Sequence, residues 1–108
     1  MASLLGVFEQ AVLLAVVRLG DEAYGRAIVN EVQERLQRPV TVGAVQSTLS
    51  RLEQKGLLKS SLGPGTEIRA GRPRRFYQVD GAGERALNDA RSAVSTLWRG
   101  YRPRKGYA

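Results

Sequence analysis

Three helical patterns in succession, a switch to two strand-like segments at Leu57, and a fourth helical pattern after Asp80 predict a mainly α (α+β) fold. That order describes a winged helix-turn-helix with a two-stranded β-wing and a C-terminal dimerisation helix. A third observation points to its use. The chain of 108 residues carries a net charge of +7, and residues 63–108 hold ten basic side chains against four acidic ones. Residues 1–62 are nearly neutral, with seven basic and six acidic side chains. Such an excess is expected of a chain that meets a polyanion.

From Val7 to Leu19, Phe8, Val12, Leu13, Ala15, Val16 and Leu19 cover a broad helical face, and Gly20-Asp21 supplies the stop. A second helix runs from Ala23 to about Leu36 on Tyr24, Ala27, Ile28, Val32 and Leu36, and Pro39 closes it off. Thr41 can cap a third helix from Val42 to Lys55, whose core stripe is Val42, Val45, Leu49 and Leu52, with Gly56 as the terminal stop. The period then changes. Residues 57–62 and 74–79 read as the two arms of a hairpin. The connection from Gly63 to Pro73 is longer than the usual hairpin loop of two to five residues. Asp80 can cap a fourth helix through Ala86, Leu87, Ala90, Val94, Leu97 and Trp98, ending before Gly100 and Pro103, and the tail from Arg102 to Lys105 is expected to be mobile. Residues 1–80 are read as the DNA-binding domain and 81–108 as the dimerisation helix and basic tail.

Several function classes fall away. There is no cysteine and no histidine, which removes disulfides, thiolate nucleophiles, Cys/His zinc sites and imidazole bases. Asp21, Glu22, Glu31, Glu34 and Glu53 read as helix caps or solvated faces, so no enzyme, cofactor or metal site is expected. Arg18 and Asp21 interrupt the only long apolar run, which falls short of the roughly 20 residues a membrane span needs. A cytoplasmic, nucleoid-associated location follows as the expectation.

In the third helix the core stripe leaves Gly43, Gln46, Ser47 and Ser50 facing outward, small or neutral residues that can approach base edges. Gln46 offers an amide able to pair with adenine, the serines can donate to bases or phosphates, and Thr41 presents free backbone amides to a phosphate. Arg51 and Lys55 would reach phosphates. The same face could also be the ordinary solvated side of an amphipathic helix. What favours recognition is the wing: Arg69, Arg72, Arg74 and Arg75 fall within seven residues and repel one another unless an anion is present. Pro73 suits an edge that must not pair with another sheet.

The stretch from Phe8 to Leu87 resembles the PadR family of bacterial transcriptional regulators, through "LGDEAYGRAI", "VTVGAVQSTLSRLEQKGLL", "GRPRRFYQV" and "GAGERAL". The resemblance implies a homodimeric DNA-binding regulator or repressor that responds to small molecules or stress. Two positions depart from it: Gln46 stands where a tyrosine is frequent, and Gly81 where a proline often opens the last helix. The first bears on DNA sequence preference and the second on helix stability. The family's longer members continue into a larger helical domain, whereas the short form has a single C-terminal helix.

Leu87, Ala90, Val94, Leu97 and Trp98, with Tyr101 one turn on, form an apolar stripe that either packs on the first helix or meets a second copy. The resemblance brings the first helix, through Phe8 and Val12, into the same dimer interface. A twofold dimer presents two recognition helices to half-sites about 34–36 Å apart, hence palindromic double-stranded DNA. Trp98, the single tryptophan, is the candidate contact for a small planar aromatic ligand. The alternative function is a winged-helix interaction module whose basic wing meets an acidic protein or RNA.

Overall fold

A computed structural model of the chain describes residues 3–63, 68–69 and 72–104. Helix α1 (Val7–Leu19) opens with half of a capping box: the Glu9 carboxylate accepts the Gly6 N–H at 2.9 Å. It buries Val12, Leu13, Ala15 and Val16, turns at Gly20, and passes through one 3-10 turn (Gly20–Glu22). Helix α2 (Gly25–Leu36) starts two residues later than the spacing predicts. The delay has a cause: Tyr24 is extended and forms an isolated antiparallel bridge with Phe76, so the chain adds a fragment of sheet before it coils.

α2 ends at Gln37, which takes up the left-handed conformation (φ 54°, ψ 44°) two residues ahead of Pro39. The turn is held by Gln33, whose side-chain oxygen accepts the Val40 N–H at 3.1 Å. Helix α3 (Val42–Gln54) then begins with Thr41 as cap, its hydroxyl accepting the Ala44 N–H at 3.0 Å. One residue of the expected α3 stripe differs: Val42, in the first turn, is 52% exposed, while Thr48, outside that stripe, is buried. The Thr48 hydroxyl accepts a hydrogen bond from Arg51, which lets a polar side chain sit there.

β1 (Leu58–Leu62) and β4 (Arg75–Val79) pair antiparallel, with Leu58 opposite Val79, Ser60 opposite Tyr77 and Leu62 opposite Arg75. The connection between them is not loop throughout: β2 (Ile68–Arg69) pairs with β3 (Arg72–Pro73), extending the wing as a narrow ribbon. The side chains of Arg69 and Arg72, and the whole of Gly71, lie outside what is described.

Helix α4 (Gly81–Trp98) is capped by Asp80, whose carboxylate accepts the Gly83 N–H at 3.2 Å. Its root is pinned at Gly83, where a Cβ would run into the Leu57 carbonyl and stand 2.6 Å from Val79 Cγ1. One core joins all layers: Leu13, Ile28, Val32, Val45, Leu49 and Leu52 from the three-helix unit, Leu58 and Tyr77 from the hairpin, Ala90 from α4. Beyond Ala90, Val94, Leu97 and Trp98 are exposed. Arg102, Pro103 and Arg104 follow without regular structure, and Lys105 lies outside the described residues.

Candidate nucleic-acid interface

The packing that buries Val45, Leu49 and Leu52 turns Gly43, Gln46, Ser47 and Ser50 to solvent. Gly43 has open space where a Cβ would be, so nothing in the protein obstructs approach to that turn of the helix. Four first-turn amides cannot be satisfied within any helix, and the Thr41 hydroxyl takes one of them at the start of α3. Helix start, small exposed residues and an amide side chain form a surface suited to a major groove.

Next to it, Gln46 shares a cleft of about 360 Å³ with Tyr24, Gly25, Arg26, Arg74, Arg75 and Tyr77. The cleft brings the recognition helix, the start of α2 and the root of the wing together. A Cβ at Gly25 would stand 3.0 Å from Gln46 Nε2, close enough to shift that side chain. The Arg74 guanidinium lies over the Tyr24 ring, 4.1 Å from its centroid, and that ring meets Phe76 edge-on at 5.8 Å. Stacking on an aromatic face restricts the motion of a guanidinium.

Of the remaining predicted contacts, Arg51 is exposed and bonds to Thr48 at 3.3 Å. Arg75 donates to the Ser60 hydroxyl at 2.9 Å, which donates in turn to Glu53 at 2.9 Å. Lys55, expected to reach a phosphate, instead pairs with Glu9 at 3.1 Å across the α1–α3 contact. The Gly6 amide and then Lys55 hold the Glu9 carboxyl below the ordinary glutamate range, against the opposing effect of its burial. Burial pushes the Tyr77 phenol above its ordinary value, with Arg75 opposing and Glu53 adding to the shift.

The sequence reading missed Tyr24, Gly25 and Arg26 as members of this surface. A signal was present. Arg26 sits in the first turn of α2, where a cation faces the positive end of the helix dipole, a local conflict that an arriving phosphate relieves.

Elsewhere, α1 and α4 frame a groove of about 750 Å³ whose lining includes Val7, Leu14, Val17, Leu87 and Val94, with Glu84 and Arg91 among its charged residues. One expected pairing residue is corrected here. Val12 is fully buried between the helices of its own chain, because the α1 face it shares with Leu13 and Val16 is the core face, so Val7, Leu14 and Val17 take its place on the outer surface. Phe8 is partly buried against the core, as is Leu87. Trp98 is 62% exposed and meets Tyr101 edge-to-face at 5.1 Å.

Three helices, a basic ribbon and an exposed polar face on the third helix define a winged helix-turn-helix of the DNA-binding class. The model of the PadR-like transcriptional regulator family matches residues 13–89, and the chain belongs to that family. Its members are transcription factors, not enzymes. Among solved structures, a PadR-like transcription factor from Bacteroides fragilis is 26% identical, with 85% of this chain and 84% of that one covered at a TM-score of 0.67. A PadR family regulator from Eggerthella lenta is 28% identical over 82% of this chain and 75% of that one, at a TM-score of 0.63. A PadR family regulator from Clostridium difficile, 21% identical, shares the fold at a TM-score of 0.64 over 86% of this chain and 95% of that one. No curated protein matches the chain in sequence. Among the described residues no helix is long and apolar enough to cross a membrane.

Proposed function

We propose that this PadR-like regulator acts as a homodimeric repressor of sequence-specific, palindromic double-stranded DNA. In this reading residues 1–80 bind DNA and residues 81–108 pair two copies. The observation that carries it is the cleft in which Gln46, from the recognition helix, faces Arg26 and Arg74 from α2 and the wing root. Gln46, Ser47 and Ser50 read bases; Arg51, Arg69, Arg72 and Arg74 hold phosphates, with the Thr41 turn between them. Pairing is supported by Val94, which lines the α1–α4 groove, and by Leu97 and Trp98 after it, all exposed among the described residues. Trp98 is the proposed contact for a planar aromatic ligand, which releases DNA only by binding one dimer geometry more tightly than another.

Binding to duplex DNA as a function of salt tests the reading. Affinity falls with a log–log slope of about −0.9 per phosphate held. Replacing Arg72 and Arg74 by alanine weakens binding to all sequences and flattens that slope, whereas Leu97→Asp yields a monomer in sedimentation and weakens operator binding. An arginine double variant that binds like the parent refutes the wing assignment. Tryptophan fluorescence unchanged across a panel of aromatic compounds refutes the ligand contact.

A further inference from the structure

We infer that Glu53, Ser60 and Arg75 form a polar strut that sets the angle between the recognition helix and the wing, and that Arg75 serves recognition by position and not by holding a phosphate. The inference rests on the DNA-binding reading above. Arg75 Nη1 donates to Ser60 Oγ at 2.9 Å, and Ser60 Oγ donates to Glu53 Oε2 at 2.9 Å. A hydroxyl has one proton and two lone pairs, so both bonds coexist, and each has an ionised partner, the stronger class of hydrogen bond. The three residues belong to three elements: Glu53 to the last turn of α3, Ser60 to the middle of β1, Arg75 to the start of β4.

Register explains why they meet. Ser60 lies opposite Tyr77 and Leu62 opposite Arg75, so by strand alternation Ser60 and Arg75 stand on the same face of the hairpin as the buried Tyr77. The hairpin root is therefore held twice. On the α2 side the Ala23 carbonyl accepts the Tyr77 N–H at 2.8 Å and Tyr24 bridges Phe76. On the α3 side the Leu57 N–H bonds to the Leu52 carbonyl at 3.0 Å and Leu58 is buried, and the strut adds a side-chain attachment farther along β1. Without the strut the hairpin is tied to α3 at its base alone, and the wing can tilt out of register with Gln46.

Both bonds are exposed to solvent, so the strut contributes little to global stability and its effect is on orientation. That separates it from phosphate contact, which changes the salt slope. The parent protein selects an operator from random duplexes, and a scrambled duplex serves as reference. Ser60→Ala and Arg75→Ala are expected to lower the operator-to-scrambled affinity ratio about three- to tenfold, the size of one lost hydrogen bond. Ser60→Thr, which keeps the hydroxyl on a residue suited to a strand, is expected to restore the ratio. On the scrambled duplex, Arg75→Ala keeps the parent's salt slope. Circular dichroism melts accompany each variant, and Glu53→Gln weakens the strut from its other end should Ser60→Ala fold poorly. A parent-like ratio in the folded Ser60→Ala or Glu53→Gln variant, or a slope shallower by about 0.9 in Arg75→Ala, overturns the inference. A parent protein that ignores every duplex in dilute buffer overturns the DNA reading itself.

Discussion

Gly83→Ala is the substitution whose outcome the structure constrains most closely. Alanine is the better helix former by about 0.8–1 kcal/mol, so propensity alone predicts a more stable protein. Packing predicts the reverse. The new Cβ would collide with the Leu57 carbonyl and stand 2.6 Å from Val79 Cγ1. The carbonyl cannot swing aside freely, because it accepts the Asp80 N–H at 3.4 Å while the Leu57 N–H bonds to Leu52 at 3.0 Å. Overpacking typically costs about 1–3 kcal/mol, and a fixed backbone oxygen places this site at the upper end. The net is a loss of about 2 kcal/mol, or roughly 10 °C in Tm for a domain of this size. Gly81→Ala on the same helix is the internal control. Its Cβ would make an ordinary 3.5 Å contact with Arg85 Nη1, so it should leave Tm unchanged or slightly higher. Melts are compared at one protein concentration, since pairing makes Tm concentration-dependent. A Gly83→Ala protein melting at or above the parent would refute the claim that this close approach pins α4.

Gly81→Pro should stabilise by about 0.4–1 kcal/mol, since proline suits the first helical turn and Asp80 (φ −97°, ψ −177°) already has the extended conformation that must precede it; a lower denaturant midpoint contradicts this. Gly25→Ala should displace the flexible end of Gln46 and alter the bases selected from random duplexes, with stability within about 0.5 kcal/mol of the parent. Acid should remove the contribution of Glu9: a carboxyl with a lowered folded pKa stabilises fully above the ordinary glutamate value and loses its effect as pH falls through the folded one. Denaturant midpoints of the parent and Glu9→Gln should therefore converge on acidification, and a gap that persists at low pH counts against the Gly6 and Lys55 contacts as its source. At the alkaline end the raised Tyr77 pKa has the opposite sign, so its stabilisation is complete below the ordinary tyrosine value and disappears as pH rises through the folded one; Tyr77→Phe should flatten that limb.

The order of elements was legible because most boundaries in this chain carry a local chemical cause. Gly20 and Gly56 have positive φ at the ends of α1 and α3, and Thr41 and Asp80 make the cap hydrogen bonds their side chains offer. What was not legible depended on partners distant in sequence. Tyr24 fits a helical stripe by spacing, yet a strand fifty residues on recruits its backbone. Val42 has the spacing of a core residue, but only tertiary placement decides that the first turn of α3 leaves it exposed. Val12 likewise lies on the core face of α1, since a broad apolar helix can show either side to a partner.

The wing arginines show how composition finds a site without assigning duties within it. Clustered positive charge in residues 69–75 is a property of the sequence, and it marks the edge of the fold proposed to face an anion. Within that cluster, adjacent residues diverge because the strand begins between them: Arg74 precedes β4 and stacks on Tyr24, while Arg75 is its first residue and turns toward Ser60. Both line the cleft that holds Gln46, yet the two adjacent side chains acquire different mechanical surroundings, one stacked on an aromatic ring and one hydrogen-bonded on the route to Glu53. Charge counting treats them as equivalent. The salt slope of an Arg74→Ala protein set beside that of Arg75→Ala separates them, since only the first is expected to flatten.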